Sequence, residues 1–405
     1  MLLKLARESL WSRRGTAILC VVSIAISVFV LLSVEFVRTE ARNAFGRTLS
    51  QADLVVGART GQLNLLLYSI FRLGEPTNNI RWESYRAIAD DPSVAWTIPL
   101  SLGDSHRGFR VLGTTGAYFE HYRYGGDRAL AFAQGRPFQS PTEAVIGGRV
   151  ARKLGYAPGK EIILAHGTGG VGFVRHENHP FTITGVLEMT GTPVDDTVHV
   201  SLDAIDLIHE GFNVSRAAEA GSSRTITAFI VGLKSRMLAF RVQRQINEFD
   251  AEPLQAILPG VALSQLWRVL GTVETVLRLI SVLVLVSALL GMSTMLLASL
   301  RERRGEIAVL RTIGASPLFI FLLVQVEALV LAVAGLGLGM AALAAVTLAS
   351  RDWLRETFGL LLPAYVPGLS GLYLAAAVIG LGVICAVLPA IGAYRFALGK
   401  ALAAR

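Results

Sequence analysis

Long apolar runs punctuate this chain. Thr16 to Val34, Leu279 to Leu300 and Leu369 to Tyr394 hold no charged residue, and Pro317 to Ser350 holds only Glu327. Each is long enough for a membrane-crossing helix, which needs roughly 20 mostly apolar residues. The pattern predicts spans at 16–38, 269–300, 317–350 and 368–394. Ahead of the first, Leu3, Ala6 and Leu10 recur at helical spacing, with Lys4, Arg7 and Glu8 on other faces. Residues 1–15 therefore read as an amphipathic helix lying in a membrane interface, with Trp11 at headgroup level. Basic residues before an apolar run also fit a cleavable leader. Here the run is too long for one and passes into Ser33-Val34-Glu35-Phe36 with no small-x-small cleavage site, which predicts a retained anchor.

Residues 39–268 carry a different pattern, short strand-like runs broken by turn residues, and are numerous enough to bury a core of their own. Asp53-Leu-Val-Val-Gly57 and Ala228-Phe-Ile-Val-Gly-Leu233 read as buried strands. After the second, Ser235 is placed to cap a helix with Leu238, Val242, Ile246 and Phe249 on one face. Ala144 to Ile146, Glu161 to Leu164, Phe181 to Val186 and Thr197 to Ser201 are further strands. The expected arrangement is an α/β subdomain built from the outer pieces and interrupted by a more β-rich one, with boundaries near Gly103 and Ser222. His166 to His179 is glycine-rich and poor in anchors, as in an exposed hairpin or loop.

Composition agrees with a membrane location: 52% of residues are hydrophobic, 17% are charged, and the mean hydropathy is +0.52. Cys20 and Cys385 both fall in apolar runs and form no metal or disulfide motif. The net charge of +8 is confined to three short pieces, +3 over 1–16, +2 over 301–316 and +3 over 395–405. By the positive-inside rule both termini and the 301–316 loop are cytoplasmic, while 39–268 and the loop 351–367 lie outside. The basic balance thus reports topology, and a nucleic-acid partner is not implied. The fold class expected is an α-helical membrane protein with four transmembrane helices and an extracytoplasmic mixed α/β domain inserted between helices 1 and 2.

The most specific stretch is Ser299-Leu-Arg-Glu-Arg-Arg-Gly-Glu-Ile-Ala-Val-Leu-Arg-Thr-Ile-Gly-Ala-Ser316. Arg301 to Ile313 is expected to be helical, with Ile307, Leu310 and Ile313 on one apolar face, Arg303, Arg304, Glu306 and Arg311 polar, and Gly314 as its C-terminal cap. Pro317 opens the next span. A turn held at the headgroups by arginines would explain the charges without a further role. The stretch also resembles the signature of the MacB/FtsX-type ABC permease family, E-R-x-x-E-I-x-x-L-R-x-x-G-A, matched in register by Glu302, Arg303, Glu306, Ile307, Leu310, Arg311, Gly314 and Ala315. Gly305 departs from the bulkier residue often found there. Leu3 to Leu10 with Arg13-Arg14, Gly135 to Phe138, Glu143 to Gly147, Ala151 to Gly155, Thr184 to Leu187 and Gln325-Val-Glu327 are similar to other segments of that family.

The resemblance implies a cytoplasmic turn that contacts an ABC ATPase, four spans, and a dimer working with two ATPase subunits. It further implies a mechanotransmission role on a lipoprotein, lipid, peptide or drug-like cargo, with a periplasmic adaptor or lipoprotein as a further partner. Lipoprotein-releasing members pair two different permeases, so homodimer and heterodimer both stay open. No G-x-x-x-x-G-K-[ST] is present, the nearest stretch being Ala397-Leu-Gly-Lys-Ala401. ATP and magnesium are therefore expected in a partner chain, and no cofactor in this one. A regulator or sensor that activates an external partner, such as a cell-wall hydrolase, is the alternative.

Three other features ask for a role. His166, His176 and His179 crowd one loop beside Glu177, but His-x-x-His alone is a weak metal signal and a solvated polar loop is the simpler reading. Glu327 would be costly against lipid, so it should face the bundle with a partner. Proton transport would want more such groups, which favours a structural or coupling role. Gly335 and Gly339 form a GxxxG that allows close helix approach, with Gly337 and Ala341 as a second small pair. No nucleophile or phosphate cradle stands out, and the chain is expected not to be an enzyme.

Overall fold

The computed structural model describes residues 2–48, 50–167, 174–175, 179–208, 224–358, 363, 365 and 368–402. It divides into two compact units, a helical one (Met1–Glu40, Gly271–Arg351 and Leu362–Arg405) and a mixed one (Ala41–Leu270 and Asp352–Leu361). The chain starts with α1 (Leu2–Ser12) and α2 (Arg14–Arg47). Then follow β1 (Leu54–Ala58), α3 (Gln62–Ser69), α4 (Trp82–Ala89), β2 (Val94–His106), β3 (Phe109–Thr114), α5 (Ala117–His121) and β4 (Phe132–Gly135). The mixed unit continues with β5 (Glu143–Ile146), α6 (Gly148–Leu154), β6 (Phe181–Leu187), β7 (Thr197–Ser201), α7 (202–208), β8 (Ala228–Leu233), α8 (Ala239–Asn247) and β9 (Leu254–Ile257).

These nine strands lie in one sheet in the order β9-β1-β8-β2-β3-β7-β5-β6-β4, with three two-residue strands paired beside them. Two pairs are parallel, β7 with β3 and β6 with β5, the second joined through α6 as a βαβ unit. The apolar runs at β1 and, up to Gly232, at β8 are buried because both faces of the sheet are covered. Side chains alternate across the strand. Val55, Ile98 and Ile230 pack with Leu65 and Leu66 of α3, whereas Leu54, Val56, Phe229 and Val231 pack with Ile88 of α4 and Val242 and Ile246 of α8. A third cluster joins Val111, Ile146, Ile183 and Val198 to Val150 of α6 and Ile205 of α7.

Several expectations change here. Gly103 lies inside β2, so the outer and inner pieces share one sheet through the β2–β3 pairing and no chain break separates them. Ser222 lies outside the described residues. Ser235 makes no side-chain cap bond, because a 3-10 turn (Arg236–Leu238) intervenes before α8. Between β4 and β5, Arg136 grips the Glu143 carboxylate at 2.9 and 2.7 Å. That grip, with the Gln139 amide, holds the Glu143 carboxyl down at about 2.

The remaining helices are α9 (Pro259–Glu302), α10 (Arg304–Thr312), α11 (Pro317–Phe358), α12 (Leu369–Cys385) and α13 (Val387–Leu402). Four described stretches are long and apolar enough to cross a membrane: Arg14–Arg47, Pro259–Glu302, Pro317–Leu354 and Gly371–Leu398. Residues 351–358, read above as the start of a loop, are helical instead. No glycine or proline lies between Gly339 and Gly359, so propagation continues through 351–358. A Cβ on Gly335 would stand 2.6 Å from Ile24 Cγ2, and one on Gly339 would stand 2.8 Å from the Ala25 carbonyl oxygen, so the GxxxG brings α11 against α2. A Cβ on Gly337 would meet nothing.

The last span, expected over 368–394, is broken at Ala386. Pro389 has no N–H to give the Cys385 carbonyl, and Ser293 Oγ on α9 donates to that oxygen at 2.7 Å.

Candidate coupling site

The signature stretch 301–316 folds as the end of α9, a break at Arg303, and α10. The expected single helix is interrupted where Arg303 adopts φ −91° and ψ 16°. The hydrogen-bond ladder survives, since the Arg303 amide donates to the Ser299 carbonyl at 3.1 Å and the Ile307 amide donates to the Arg303 carbonyl at 3.0 Å. At the other end, the Ala315 amide donates to the Leu310 carbonyl and the Gly314 amide to the Arg311 carbonyl. With Gly314 at φ +101°, this is a Schellman cap, as its glycine foretold. Arg311 Nη1 also donates to the Ala315 carbonyl at 2.8 Å.

Arg303 is the hub. Its Nη1 donates to Glu327 Oε1 of α11 at 2.9 Å and also to Ser9 Oγ of α1, while its Nε donates to Glu306 Oε2 at 2.6 Å. Glu327 is 3% exposed, so the carboxylate expected to need a partner has one, supplied by the turn itself. Arg13 Nη2 adds a bond to the Ser299 carbonyl at 3.2 Å. An acidic group in an apolar span preceded by a cation-rich turn was the available signal. The spacing of 24 residues between Arg303 and Glu327 has no local period, so only the packed helices reveal the match.

The apolar face is corrected. Ile307 is 6% exposed and joins the helical core, and Leu310 is half-buried, but Ile313 is 79% and Val309 56% exposed. The last turn of α10 therefore projects apolar side chains outward beside the exposed acids Glu302 and Glu306. Gly305 has open space around it, and Arg304 opens α10.

Among the described residues the histidines form no cluster. His166 ends a two-residue strand paired with Asp104 and Val174, His179 is half-buried, and His176 lies outside the described residues. Among the described residues no group of three or more His, Cys, Asp or Glu side chains is placed to hold a metal.

Four candidate spanning helices joined to a mixed α/β unit define a multi-pass membrane protein with a substantial folded domain. Residues 17–249 match the MacB-like periplasmic core domain and residues 278–398 the FtsX-like permease C-terminal region. The chain belongs to the MacB/FtsX-type permease family, permease components of ABC transporters that work with ABC ATPase partners. Among solved structures, the periplasmic region of MacB from Actinobacillus actinomycetemcomitans is 9% identical at a TM-score of 0.35, covering 55% of this chain and 94% of that one. The extracellular domain of the noncanonic ABC-type transporter YknZ from Gram-positive bacteria is 14% identical at 0.32, covering 50% and 98%. No curated protein sequence matches the chain.

Proposed function

We propose that this chain is the membrane subunit of an ABC transporter of the mechanotransmission type, and that α10 is where a separate ATPase, carrying ATP and magnesium, pushes on it. In this reading both termini and α10 are cytoplasmic and the mixed unit is extracytoplasmic. Two permease copies, identical or different, meet one ATPase dimer. The cargo is an amphipathic or hydrophobic molecule, a lipoprotein, lipid, peptide or drug, handled outside the membrane with a periplasmic adaptor or lipoprotein as a further partner. The observation that carries the reading is the Arg303–Glu327 contact, which ties the signature turn to a spanning helix.

Force applied to the outward face of α10, at Val309 and Ile313, would act on α11 through that pair and on α9, which is one helix from Pro259 to Glu302. The test is reconstitution with the ATPase. Cysteines replacing Val309 or Ile313 should crosslink to it, and Glu306→Arg or Gly314→Val should uncouple hydrolysis from transport while the chain stays in the membrane. No crosslink, together with full coupled activity in both variants, would leave α10 as a turn only. Capture of a cell-wall hydrolase by the mixed unit would replace export by hydrolase activation.

A further inference from the structure

The mixed unit contains a cavity of about 470 Å³, within the range of about 300–1,000 Å³ typical of small-molecule sites. It is bordered by the end of α2, the segment after α3, the β2–β3 turn, α6 and residues 191–196. Its walls divide by chemistry. Phe45 and Phe71, with ring centroids 4.7 Å apart, and Phe109 make an apolar side. Arg72, Arg110, Arg149 and Lys153 supply the cations.

The cations are held in different ways. Arg149 is ion-paired with Asp196, so that pair is close to neutral. Asp195 beside it accepts from the Thr190 amide and hydroxyl, both at 2.8 Å, and from the Gly191 amide at 2.7 Å, and is turned into its own loop. Arg72 and Arg110 are instead hydrogen-bonded to carbonyls, with the Glu75 carboxylate also acting on Arg110. Arg72 donates to the Ser69 carbonyl, and Arg110 Nη2 donates to the Gly74 carbonyl at 2.9 Å. A carbonyl orients a guanidinium without cancelling its charge, and each guanidinium has five donors. The Lys153 ammonium lies 5.6 Å above the Phe109 ring, where the apolar and cationic walls meet.

Two further observations point to a ligand. Arg72 sits at φ +59°, a left-handed conformation that is strained for a non-glycine residue and clusters at binding sites. Burial pushes the Arg110 guanidinium down and Arg72 adds to that push, while Glu75 opposes it. Glu75 more than offsets the repulsion from Arg72 but leaves the cost of burial, which a bound anion would reduce further.

We propose that this cavity binds an anionic amphiphile, its single phosphate or carboxylate group held by Arg72, Arg110 and Lys153 and its apolar chain laid against Phe45, Phe71 and Phe109. Neither the ATPase nor its coupling enters this argument, so the two readings stand or fall separately. The experiment is calorimetric titration of the full-length chain in nanodiscs, with empty nanodiscs subtracted, using octyl phosphate, octanol and inorganic phosphate as probes. Octyl phosphate should bind at least tenfold more tightly than either other probe. The doubly substituted variant Arg110→Gln, Lys153→Gln should lose at least tenfold in affinity, and Lys153→Arg should keep it, which separates lost charge from lost folding. Equal affinity for inorganic phosphate, equal affinity for octanol, or octyl phosphate binding unchanged in the double variant would each overturn the proposal.

Discussion

Removing the charge from Glu327 isolates the contact on which coupling is argued to depend. Glu327→Gln keeps the shape of the side chain and leaves Arg303 its bond to Glu306, an exposed pair contributing about 0.2–1 kcal/mol. The Arg303–Glu327 pair differs because its acid is buried in a spanning helix. Charge centres roughly 4 Å apart at an effective dielectric of about 20 attract by about 4 kcal/mol. Desolvation takes back part of this, and a coupling of about 2 kcal/mol is expected to remain. The assay is a double-mutant cycle with Glu327→Gln, Arg303→Met and both together, read by unfolding in mixed micelles with sodium dodecyl sulfate. Each single change leaves a poorly matched partner and should cost about 2 kcal/mol or more, whereas the double variant removes both charges and should cost less than their sum. Stimulation of the ATPase by the reconstituted chain should fall in each single variant. Additivity within about 0.5 kcal/mol would refute the reasoning, because the two groups would then not be working as a pair.

The helix contact at Gly339 predicts that Gly339→Leu, pushing α11 off the Ala25 carbonyl, lowers stability by about 1–3 kcal/mol in the same unfolding assay, with Gly337→Leu near neutral. Ser293→Ala strips the donor from the carbonyl that Pro389 leaves open and should cost about 1–3 kcal/mol, a loss that Pro389→Ala, by restoring an N–H, should reduce. In the mixed unit, burial, with Arg72 adding to it, pushes the His199 imidazole down to about 3 from 6.5. The unfolded chain binds that proton first as pH falls, so stability is full above about 6.5 and is lost toward 3, by about 1.4 kcal/mol per pH unit. Wild type should therefore weaken more steeply than His199→Phe between about pH 6 and 4, and equal slopes would show that His199 is not the group responsible.

Much of this architecture could be read in the sequence, and the misses share a cause. Spanning helices and buried strands are written locally: an apolar run of sufficient length is its own evidence, and so is the Gly314 cap at the end of α10. Gly335 and Gly339 were visible as a close-packing face, but that the neighbour is Ile24 and Ala25 of α2 requires the fold. The same holds for Arg303 with Glu327 and for Ser293 with the Cys385 carbonyl, pairs joined across helices with no period linking them. Ile313 was misread because helical spacing gives a face but not where the neighbouring helices stop. The cationic cavity is drawn from five separate segments, none of which carries a signal alone.

A turn that only reversed the chain between two spans would need a cap, a proline and a few arginines at the headgroups. The segment 301–316 has these, and it also reaches inward with one side chain to α1 and α11 at once. Inside an apolar bundle such a contact is close to all-or-none, since a separated Arg303 and Glu327 would each be left poorly solvated. The outward side has the opposite character, with Val309 and Ile313 exposed and no bond to hold them. Apolar contact there is non-directional and can form or release as a partner moves, whereas the ionic contact inside transmits only if it stays closed. A rigid inner link beneath an adaptable outer surface is what the proposed mechanical coupling would require, and α10 combines the two.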